Sequence, residues 1–373
     1  MKINYNEESY QSHFMHLLFA TGIYPPDIGG PATYAVLMEQ ELRERGWEVT
    51  LRSFGSVRPL PRLIRHGVFA WRLWRDSARA QALFAQDTVS VGLPALLVAK
   101  LRRIPLVIRV PGDFAWEQGV QRFGVKEGID AFQSRRYGWR VEVLRWIQRW
   151  VVRGADRVLA PSQYFADLVK GWVHSPETVS CMYNGVAVPK SISPHEYPEP
   201  TLITAARLVP WKGIDTLIEA LREVPHVRLV VVGEGPDRTR LEEQSEHIGV
   251  RDRVEFTGAL PREQLLSRIA GAEVFLLGSS FESFSFQLVE AMMMGAPVIA
   301  RDIGNLRELI EPEVNGVLLQ GGTASDYASA IRRLLEDPQR RLQMGIAARE
   351  SAQRFSVQAT GAALDHLLRS LVS

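Results

Sequence analysis

The sequence has little of what marks a secreted or membrane-spanning protein. Its 373 residues include one cysteine, Cys181, so no disulfide can form within the chain. A single thiol is typical of a reducing compartment. No apolar run approaches the roughly 20 residues that a membrane-spanning helix needs. The polar segment 1–11 resembles neither a signal nor a transit peptide. We therefore expect a cytoplasmic protein.

Several common catalytic signatures are also missing. There is no Asp-x-Asp pair, and the eight histidines show no ligand spacing, so we predict no metal site. The sequence Gly233-Glu234-Gly235-Pro236 lacks the third glycine of a dinucleotide fingerprint, and there is no P-loop. No Gly-x-Ser-x-Gly elbow occurs. The sequence therefore lacks the motifs that usually indicate hydride transfer, phosphoryl transfer or serine hydrolysis.

The charge of the chain is divided unevenly. The composition, 46% hydrophobic and 23% charged, is that of a globular protein. The net charge is only +2, but residues 1–188 hold 24 Lys and Arg against 17 Asp and Glu. Residues 189–373 hold 20 against 25, and eight of the nine tryptophans lie in the basic half. This asymmetry indicates an anionic partner for the first half.

Short apolar runs alternate with helical patterns along the chain. Residues 16–20, 201–206, 227–232 and 274–277 are predicted strands, and Pro31 is placed to begin a helix that runs to Arg45. A Pro/Ser-rich stretch at 188–200 is the best linker. We predict an α/β fold with two Rossmann-like domains, 1–188 and 189–355, and a final helix at 356–373.

Two acids bracket a predicted strand–loop–helix unit. The strand at 274–277 leads to Glu282, and a helix from Phe286 to Met294, ended by Gly295, carries Glu290. Backbone N–H groups at a helix start bind anions, so a phosphate is expected there. The alternative is a solvated Glu282 and a salt-bridged Glu290.

Cations and glycines follow other predicted strands. Arg207 and Lys212 lie in one loop and could neutralise a diphosphate as it leaves. Gly29 and Gly30 precede the first helix and would let a ligand approach the backbone. The alternatives are two exposed loop cations and a plain tight turn. Asp113 follows a predicted strand and is a further candidate, with a turn-stabilising role as the alternative.

Two stretches of the basic half combine arginine with tryptophan. Residues 58–79 suit a helix, and residues 126–153 are predicted to form one long helix. Such helices can lie on an anionic membrane, here the inner face of the cytoplasmic membrane, or serve as ordinary surface helices. No nucleic-acid-binding motif accompanies them, so we predict no nucleic acid partner.

Six motifs in order closely resemble those of the retaining family 4 glycosyltransferases, the bacterial group 1 type. They are Gly29-Gly30-x-x-x-Tyr34, Asn184-Gly185-Val186, Arg207…Lys212-Gly213, Gly233-Glu234-Gly235-Pro236, Phe256-x-Gly258 and Glu282-x7-Glu290. The resemblance implies the GT-B architecture, in which two Rossmann-like domains face a cleft and the last helix crosses back to the first domain. It also implies a metal-independent, hexosyltransferase-like enzyme.

The resemblance assigns a role to each matching position. Glu282 would contact the donor sugar and Glu290 the nucleotide ribose, while Arg207 and Lys212 would grip the diphosphate. Ser285 and Phe286 would lend backbone N–H groups to the phosphates, and Gly30, beside Gly29, would let the backbone approach them. Gly233, Glu234 and Gly258 would border the base. Many members place a histidine where this chain has Gly112-Asp113, so Asp113 either replaces it or binds the acceptor.

The expected reaction moves a sugar from a nucleotide-diphosphate sugar, with a UDP-sugar favoured and a GDP-sugar as the second choice, to an acceptor hydroxyl. No permanently bound cofactor is expected. The acceptor would be a lipid-linked sugar or a polysaccharide of the cell envelope, bound by the first domain. The alternatives are a nucleotide-sugar epimerase, a sugar-phosphate synthase, or a GT-B protein that serves as an interaction module.

Overall fold

The first half of the chain forms a six-stranded parallel sheet. The computed structural model describes residues 15–27, 29–189 and 191–372, so the polar segment predicted at 1–11 lies outside the described residues. The strands are β1 (Met15–Thr21), β2 (Trp47–Ser53), β3 (Ala82–Gln86), β4 (Leu106–Arg109), β5 (Arg157–Ala160) and β6 (Val179–Cys181). Their order is β2-β1-β3-β4-β5-β6, as expected for a doubly wound sheet.

Helices cover both faces of this sheet, as the crossovers between parallel strands require. They are α1 (Gly30–Glu44), α2 (Arg62–Asp76), α3 (Gly92–Arg102), α4 (Phe114–Arg122), α5 (Ile129–Ser134), α6 (Trp139–Gly154) and α7 (Gln163–Lys170). Helices α2, α3 and α6 share one core cluster, with α3 packed against both of the others. Helix α1 belongs to a different cluster on the opposite face.

The second half repeats the same plan. Its strands are β7 (Thr201–Ala205), β8 (Arg228–Val232), β9 (Val254–Gly258), β10 (Val274–Leu277), β11 (Val298–Arg301) and β12 (Val317–Leu319), in the order β12-β11-β10-β7-β8-β9. Its helices are α8 (Ile214–Ala220), α9 (Arg238–His247), α10 (Arg262–Gly271), α11 (Phe286–Met294), α12 (Leu306–Leu309), α13 (Ala324–Glu336) and α14 (Pro338–Ala352). The two-sheet prediction is therefore confirmed.

The last helix, α15 (Val357–Val372), returns to the first sheet. Leu364 and Leu368 are fully buried in the cluster that contains β1 and α1. The Trp47 indole donates a hydrogen bond of 2.7 Å to Asp365 Oδ1, and the Arg369 guanidinium donates one of 2.7 Å to the Arg45 carbonyl. The predicted crossover of the C-terminal helix is confirmed.

The single long helix predicted for 126–153 is wrong. The chain there forms α5 and α6, with an irregular segment between them. The buried Arg145 side chain donates hydrogen bonds of 2.9 Å to the carbonyls of Phe132 and Arg135. Those carbonyls would otherwise accept the N–H groups of the next helical turn. Gly138 then adopts an extended conformation and begins α6.

The stretch predicted as a linker contains neither helix nor strand in its described part, residues 188–189 and 191–200. It runs from the end of the first half directly into β7. Because both sheets are parallel, the carboxyl ends of their strands carry the loops in which ligands of such folds sit. The candidate site residues lie after β4, β7, β8 and β10, at the end of β9, at the start of α1 and at the start and in the middle of α11.

Candidate active site

The loop between β10 and α11 matches its prediction. Ser285 caps α11 by accepting a hydrogen bond of 3.4 Å from the Leu288 N–H, and Gly295 ends the helix at φ 77°. The first N–H groups of a helix have no acceptor within the helix, and its N-terminus carries partial positive charge. Ser285 and Phe286 therefore lie where backbone groups can bind a phosphate.

Glu282 is buried in an ion pair. One carboxylate oxygen accepts hydrogen bonds from Lys212 Nζ at 2.5 Å and from Ser279 Oγ at 2.7 Å, and the residue is only 7% exposed. The alternative of a solvated Glu282 is therefore wrong. The structure brings together the acid and one of the two cations that the sequence singled out. Ser279 was missed, because only its position three residues before Glu282 could have indicated it.

Glu290 is also buried and lies 2.7 Å from Arg262 Nη2. Burial raises the pKa of the Glu290 carboxyl, and the Arg262 charge opposes that rise. The salt-bridged alternative thus describes Glu290 in this structure. Arg262 begins α10 and was missed, because its own segment carries no signal of the contact. A ribose hydroxyl could bind to the same carboxylate, since a carboxylate has several lone pairs.

The Arg207–Lys212 loop meets the β10–α11 loop backbone to backbone. A Cβ atom added to Gly213, which has φ 63°, would overlap the Gly278 carbonyl group. The Ser280 N–H donates a hydrogen bond of 2.8 Å to the Trp211 carbonyl. Arg207 is exposed, and its side chain has no hydrogen bond within the described part of the chain. Both cations and Glu282 therefore sit on one pair of interlocked loops.

The residues expected to border the base lie beside this pair of loops. The Gly233 N–H donates a hydrogen bond of 2.9 Å to the Gly258 carbonyl, which joins the ends of β8 and β9. The Leu208 N–H donates one of 2.9 Å to the Glu234 carbonyl. The structure thus brings Gly233, Glu234 and Gly258 together next to Arg207. Their contact with a base stays a prediction.

The starts of α1 and α11 approach each other across the two halves. A Cβ atom added to Gly30 would lie 2.9 Å from the Phe286 ring, so a side chain at position 30 would displace that ring. Gly29, immediately before it, has φ 148°, a backbone conformation that is unfavourable for residues with a side chain. The N-termini of α1 and α11, each of which carries partial positive charge, therefore lie close together.

Aromatic and polar contacts hold the halves together around this region. The Trp116 ring lies 4.8 Å from the Phe281 ring and 6.1 Å from the Trp211 ring, measured between centroids. Ser283 Oγ donates a hydrogen bond of 2.5 Å to the Pro111 carbonyl. The loop that follows β4 therefore faces the loops that carry Lys212 and Glu282.

Glu308 links the halves at a second place. Its carboxylate accepts hydrogen bonds of 2.8 and 2.7 Å from the backbone N–H groups of Gln163 and Tyr164, which begin α7. Tyr183 also donates to it, at 3.0 Å. An acid at a helix N-terminus is favourably placed. This contact holds the two halves together but contributes no side chain to the cleft.

Asp113 has the geometry of the turn-stabilising alternative. It caps α4 by accepting a hydrogen bond of 3.1 Å from the Trp116 N–H, and it also accepts from Gln133 Nε2 at 2.8 Å and Gln148 Nε2 at 3.1 Å. Only 1% of the residue is exposed. A catalytic or acceptor-binding role for Asp113 is not supported by this position, because its carboxylate is enclosed by its own domain.

Glu117, which the sequence analysis did not single out, places its carboxylate over Gly112, beside the contact between Pro111 and Ser283. A signal was available, because Glu117 follows Asp113 by one helical turn and shares its helix face. Among the residues that the structure describes, no group of three His, Cys, Asp or Glu is arranged to hold a metal ion. Among the described residues, the cleft therefore has charged side chains of both signs: Arg207, Lys212 and Arg262, and Glu282, Glu290 and Glu117.

Two six-stranded parallel sheets with flanking helices and a returning C-terminal helix define the GT-B fold, and solved structures share it. Sucrose-phosphate synthase from Thermosynechococcus elongatus superposes with a TM-score of 0.80 at 22% identity, over 96% of this chain and 99% of that one. HepE from Anabaena, in complex with UDP, gives 0.73 at 21% identity, over 96% and 100%. At these identities the likeness establishes the fold.

Two family models match successive parts of the sequence. The model "Glycosyltransferase Family 4" matches residues 28–188, and "Glycosyl transferases group 1" matches residues 190–351. Together they extend from the loop before α1 to the end of α14. The chain belongs to the group 1, family 4 glycosyltransferases, as its motifs predicted.

Curated relatives match part of the chain. The alpha-D-kanosaminyltransferase of Streptomyces kanamyceticus is 32% identical over 46% of this chain and 46% of its own length. A D-inositol 3-phosphate glycosyltransferase of Xylanimonas cellulosilytica is 35% identical over 44% and 41%. A GDP-mannose-dependent phosphatidylinositol monomannoside mannosyltransferase of Mycobacterium tuberculosis is 36% identical over 40% and 42%. The matched region spans less than half the length of each of these relatives.

Proposed function

We propose that the protein transfers a sugar from a nucleotide-diphosphate sugar to an acceptor hydroxyl with retention of configuration and without a metal. The observation that carries the proposal is the convergence of two cations and two helix N-termini on one cleft. Lys212 is held by Glu282, Arg207 lies in the same loop, and α1 and α11 begin beside them. Few ligands other than a diphosphate need that concentration of positive groups.

The reaction requires charge stabilisation at the leaving group. As the bond between the anomeric carbon and the diphosphate oxygen breaks, its electron pair stays on the diphosphate. Lys212, Arg207 and the start of α11 stabilise that charge. The acceptor oxygen bonds to the anomeric carbon, and its proton passes to the departing diphosphate. Glu282 holds hydroxyl groups of the donor sugar, and Glu290 holds the ribose.

We assign donor and acceptor to different halves. Residues 189–355 carry the cations and bind the donor, while residues 1–188 with α15 bind the acceptor. UDP-sugars are the favoured donors because HepE, which shares the fold, binds UDP; GDP-sugars follow, because a mannosyltransferase relative uses GDP-mannose. Relatives named for inositol phosphate and phosphatidylinositol acceptors support a lipid-linked or other cell-envelope acceptor.

Product analysis tests this function. The protein is incubated with UDP-glucose or GDP-mannose, alone and with vesicles that contain phosphatidylinositol. We expect nucleotide diphosphate to be released with one donor and sugar to be found on an acceptor. Conversion of a donor to its epimer with no acceptor present would favour the epimerase alternative. An absence of turnover with donors that nevertheless bind would favour the interaction module.

An aromatic-basic face on the first half supports membrane contact. We define it by exposed side chains of α2, α3 and α6: Trp71, Leu101, Trp139, Trp146 and Trp150. The guanidinium groups of Arg75 and Arg140 lie 5.3 and 5.4 Å from the Trp71 and Trp139 rings. No helix in the described ranges is long and apolar enough to cross a membrane. We propose that this face rests on the inner surface of the cytoplasmic membrane.

Vesicle sedimentation tests the aromatic-basic face. We expect the protein to sediment with phosphatidylglycerol vesicles at low salt. Replacing Trp139 and Trp146 by serine should weaken binding by about tenfold or more, because each ring buries apolar area worth about 1.5–3 kcal/mol. The matched control replaces the exposed Leu342 and Ile346 of α14 by serine. Failure of the wild type to sediment at low salt would remove the membrane proposal.

A further inference from the structure

Glu117 lies in the first turn of α4, the helix that follows the loop after β4. Its backbone N–H donates a hydrogen bond of 2.9 Å to the Asp113 carbonyl, which fixes it one turn beyond the cap. Its carboxylate lies directly over Gly112, where an added Cβ atom would overlap one of the oxygens. The loop after β4 therefore leaves room for this carboxylate by having no side chain at position 112.

The Glu117 carboxylate differs from the neighbouring acids in having no hydrogen-bond partner within the described part of the chain. Asp113 accepts three hydrogen bonds from its own domain. Asp87, at the end of β3, accepts one of 2.7 Å from the Val89 N–H. Most polar groups that are shielded from solvent accept or donate a hydrogen bond within the protein. The half-buried Glu117 carboxylate does not, so its oxygens can accept hydrogen bonds from a ligand.

The charged groups around Glu117 come from both halves. Burial raises the pKa of its carboxyl to about 7, Asp113 and Asp87 add to the rise, and Lys212 and Arg207 oppose it. The carboxylate lies over Gly112, whose neighbour Pro111 accepts a hydrogen bond of 2.5 Å from Ser283 Oγ in the β10–α11 loop. The Glu117 carboxylate therefore lies where the loop after β4 meets the loop that carries Glu282, and the charges of Lys212 and Arg207 are near enough to influence its pKa.

We propose that Glu117 binds the attacking hydroxyl group of the acceptor. This inference rests on the proposed function. Glu282 and Glu290, on the second half, serve the donor sugar and ribose, whereas Glu117 is the carboxylate that the first half presents to the leaving group. It accepts a hydrogen bond from the hydroxyl and aims the oxygen at the anomeric carbon. The carbon–diphosphate bond breaks, the new carbon–oxygen bond forms, and the hydroxyl proton ends on the diphosphate.

The proposal predicts a specific pH dependence. The ionised Glu117 is the stronger hydrogen-bond acceptor, so kcat/KM for the acceptor should increase as the pH rises through about 7. The Glu117→Gln variant should lose this acid limb. Its kcat/KM should be about tenfold below that of the wild type at pH 8, because the uncharged amide oxygen is a weaker acceptor than the carboxylate. Its affinity for UDP should stay within threefold.

The assay uses UDP-glucose and GDP-mannose with phosphatidylinositol vesicles, and with water as the acceptor when vesicles are omitted. The matched control is Asp167→Asn, which neutralises an exposed acid that pairs with Lys170 on α7; it should behave as the wild type. The Glu117 carboxylate makes no hydrogen bond to the residues that the structure describes, so Glu117→Gln should keep the melting temperature of the wild type, and a lower value would reveal a folding defect.

Each outcome distinguishes the proposals. A Glu117→Gln variant that turns over donor within threefold of the wild type, with the acid limb intact, overturns the role of Glu117 and leaves the proposed function standing. Loss of UDP affinity in the variant shows that Glu117 is a donor ligand, which also overturns the inference. A wild type that releases no nucleotide from either donor contradicts the proposed function, and the role of Glu117 with it.

Discussion

Replacing Lys212 by alanine is expected to slow nucleotide release by about 10²–10³-fold, the usual effect of removing one preorganised group that stabilises a developing charge. Lys212 Nζ lies 2.5 Å from a Glu282 oxygen, so its position is fixed before any ligand binds. The loss should appear mainly in kcat, because the charge of the leaving diphosphate grows as the bond breaks. Initial rates at saturating donor measure it.

The Lys212→Ala variant also leaves the buried Glu282 with Ser279 as its remaining hydrogen-bond donor among the contacts described. Some loss of stability should therefore accompany the loss of rate. The matched control is Lys170→Ala, which removes an exposed lysine from a pair with Asp167. Turnover of Lys212→Ala within a few-fold of the wild type would show that the Arg207–Lys212 loop does not stabilise the leaving group.

Replacing Gly213 by alanine is expected to destabilise the protein by about 2–5 kcal/mol, a sum of left-handed backbone strain and overpacking. Gly213 has φ 63°, and its added methyl group would overlap the Gly278 carbonyl, which belongs to the backbone and cannot rotate away. The loops that carry Lys212 and Glu282 would have to separate. Denaturant unfolding measures the loss of stability. The rate of donor turnover should also fall, because Lys212 and Glu282 would no longer be held together.

Gly249 supplies the control for this prediction. It has φ 73°, close to that of Gly213, but an added Cβ atom there would meet nothing within 4 Å. Gly249→Ala should therefore cost only about 1–2 kcal/mol of backbone strain. Equal losses in the two variants would mean that the close approach of Gly213 and Gly278 contributes nothing to stability.

The features that could be predicted from the sequence depend on local patterns. The strand at Val274–Leu277, the helix at Phe286–Met294 and the glycine that ends it follow from composition and spacing within about 20 residues. The returning helix α15 was predicted only through the resemblance to a family, since its amphipathic pattern does not say which surface it covers.

Contacts between distant residues could not be predicted. Lys212 and Glu282 are 70 residues apart, and neither sequence neighbourhood indicates that their side chains meet. The hydrogen bonds of Arg145 that separate α5 from α6 are shorter in range, but they depend on burial of a guanidinium group that composition alone assigns to the surface.

The choice between Asp113 and Glu117 in the first half likewise could not be made from the sequence. Asp113 and Glu117 lie four residues apart, and both fit a position at the end of a strand. Asp113 caps α4 and also accepts hydrogen bonds from Gln133 and Gln148. These contacts distinguish it from Glu117, and they are visible only in the structure. Sequence patterns therefore located the cleft, while the choice between two acids depended on side chains from α5 and α6.

The central claim is that the cleft binds a nucleoside diphosphate through Arg207, Lys212 and the start of α11. A thermal-shift titration of UDP, GDP and ADP tests it most directly, because a ligand that binds only the folded state raises its stability by about 2.7 kcal/mol at 100 times Kd. We expect UDP or GDP to raise the Tm by roughly 3–4 °C, and the rise to be much smaller in Arg207→Ala. If none of the three nucleotides shifts the Tm of the wild type at millimolar concentration, the account is contradicted.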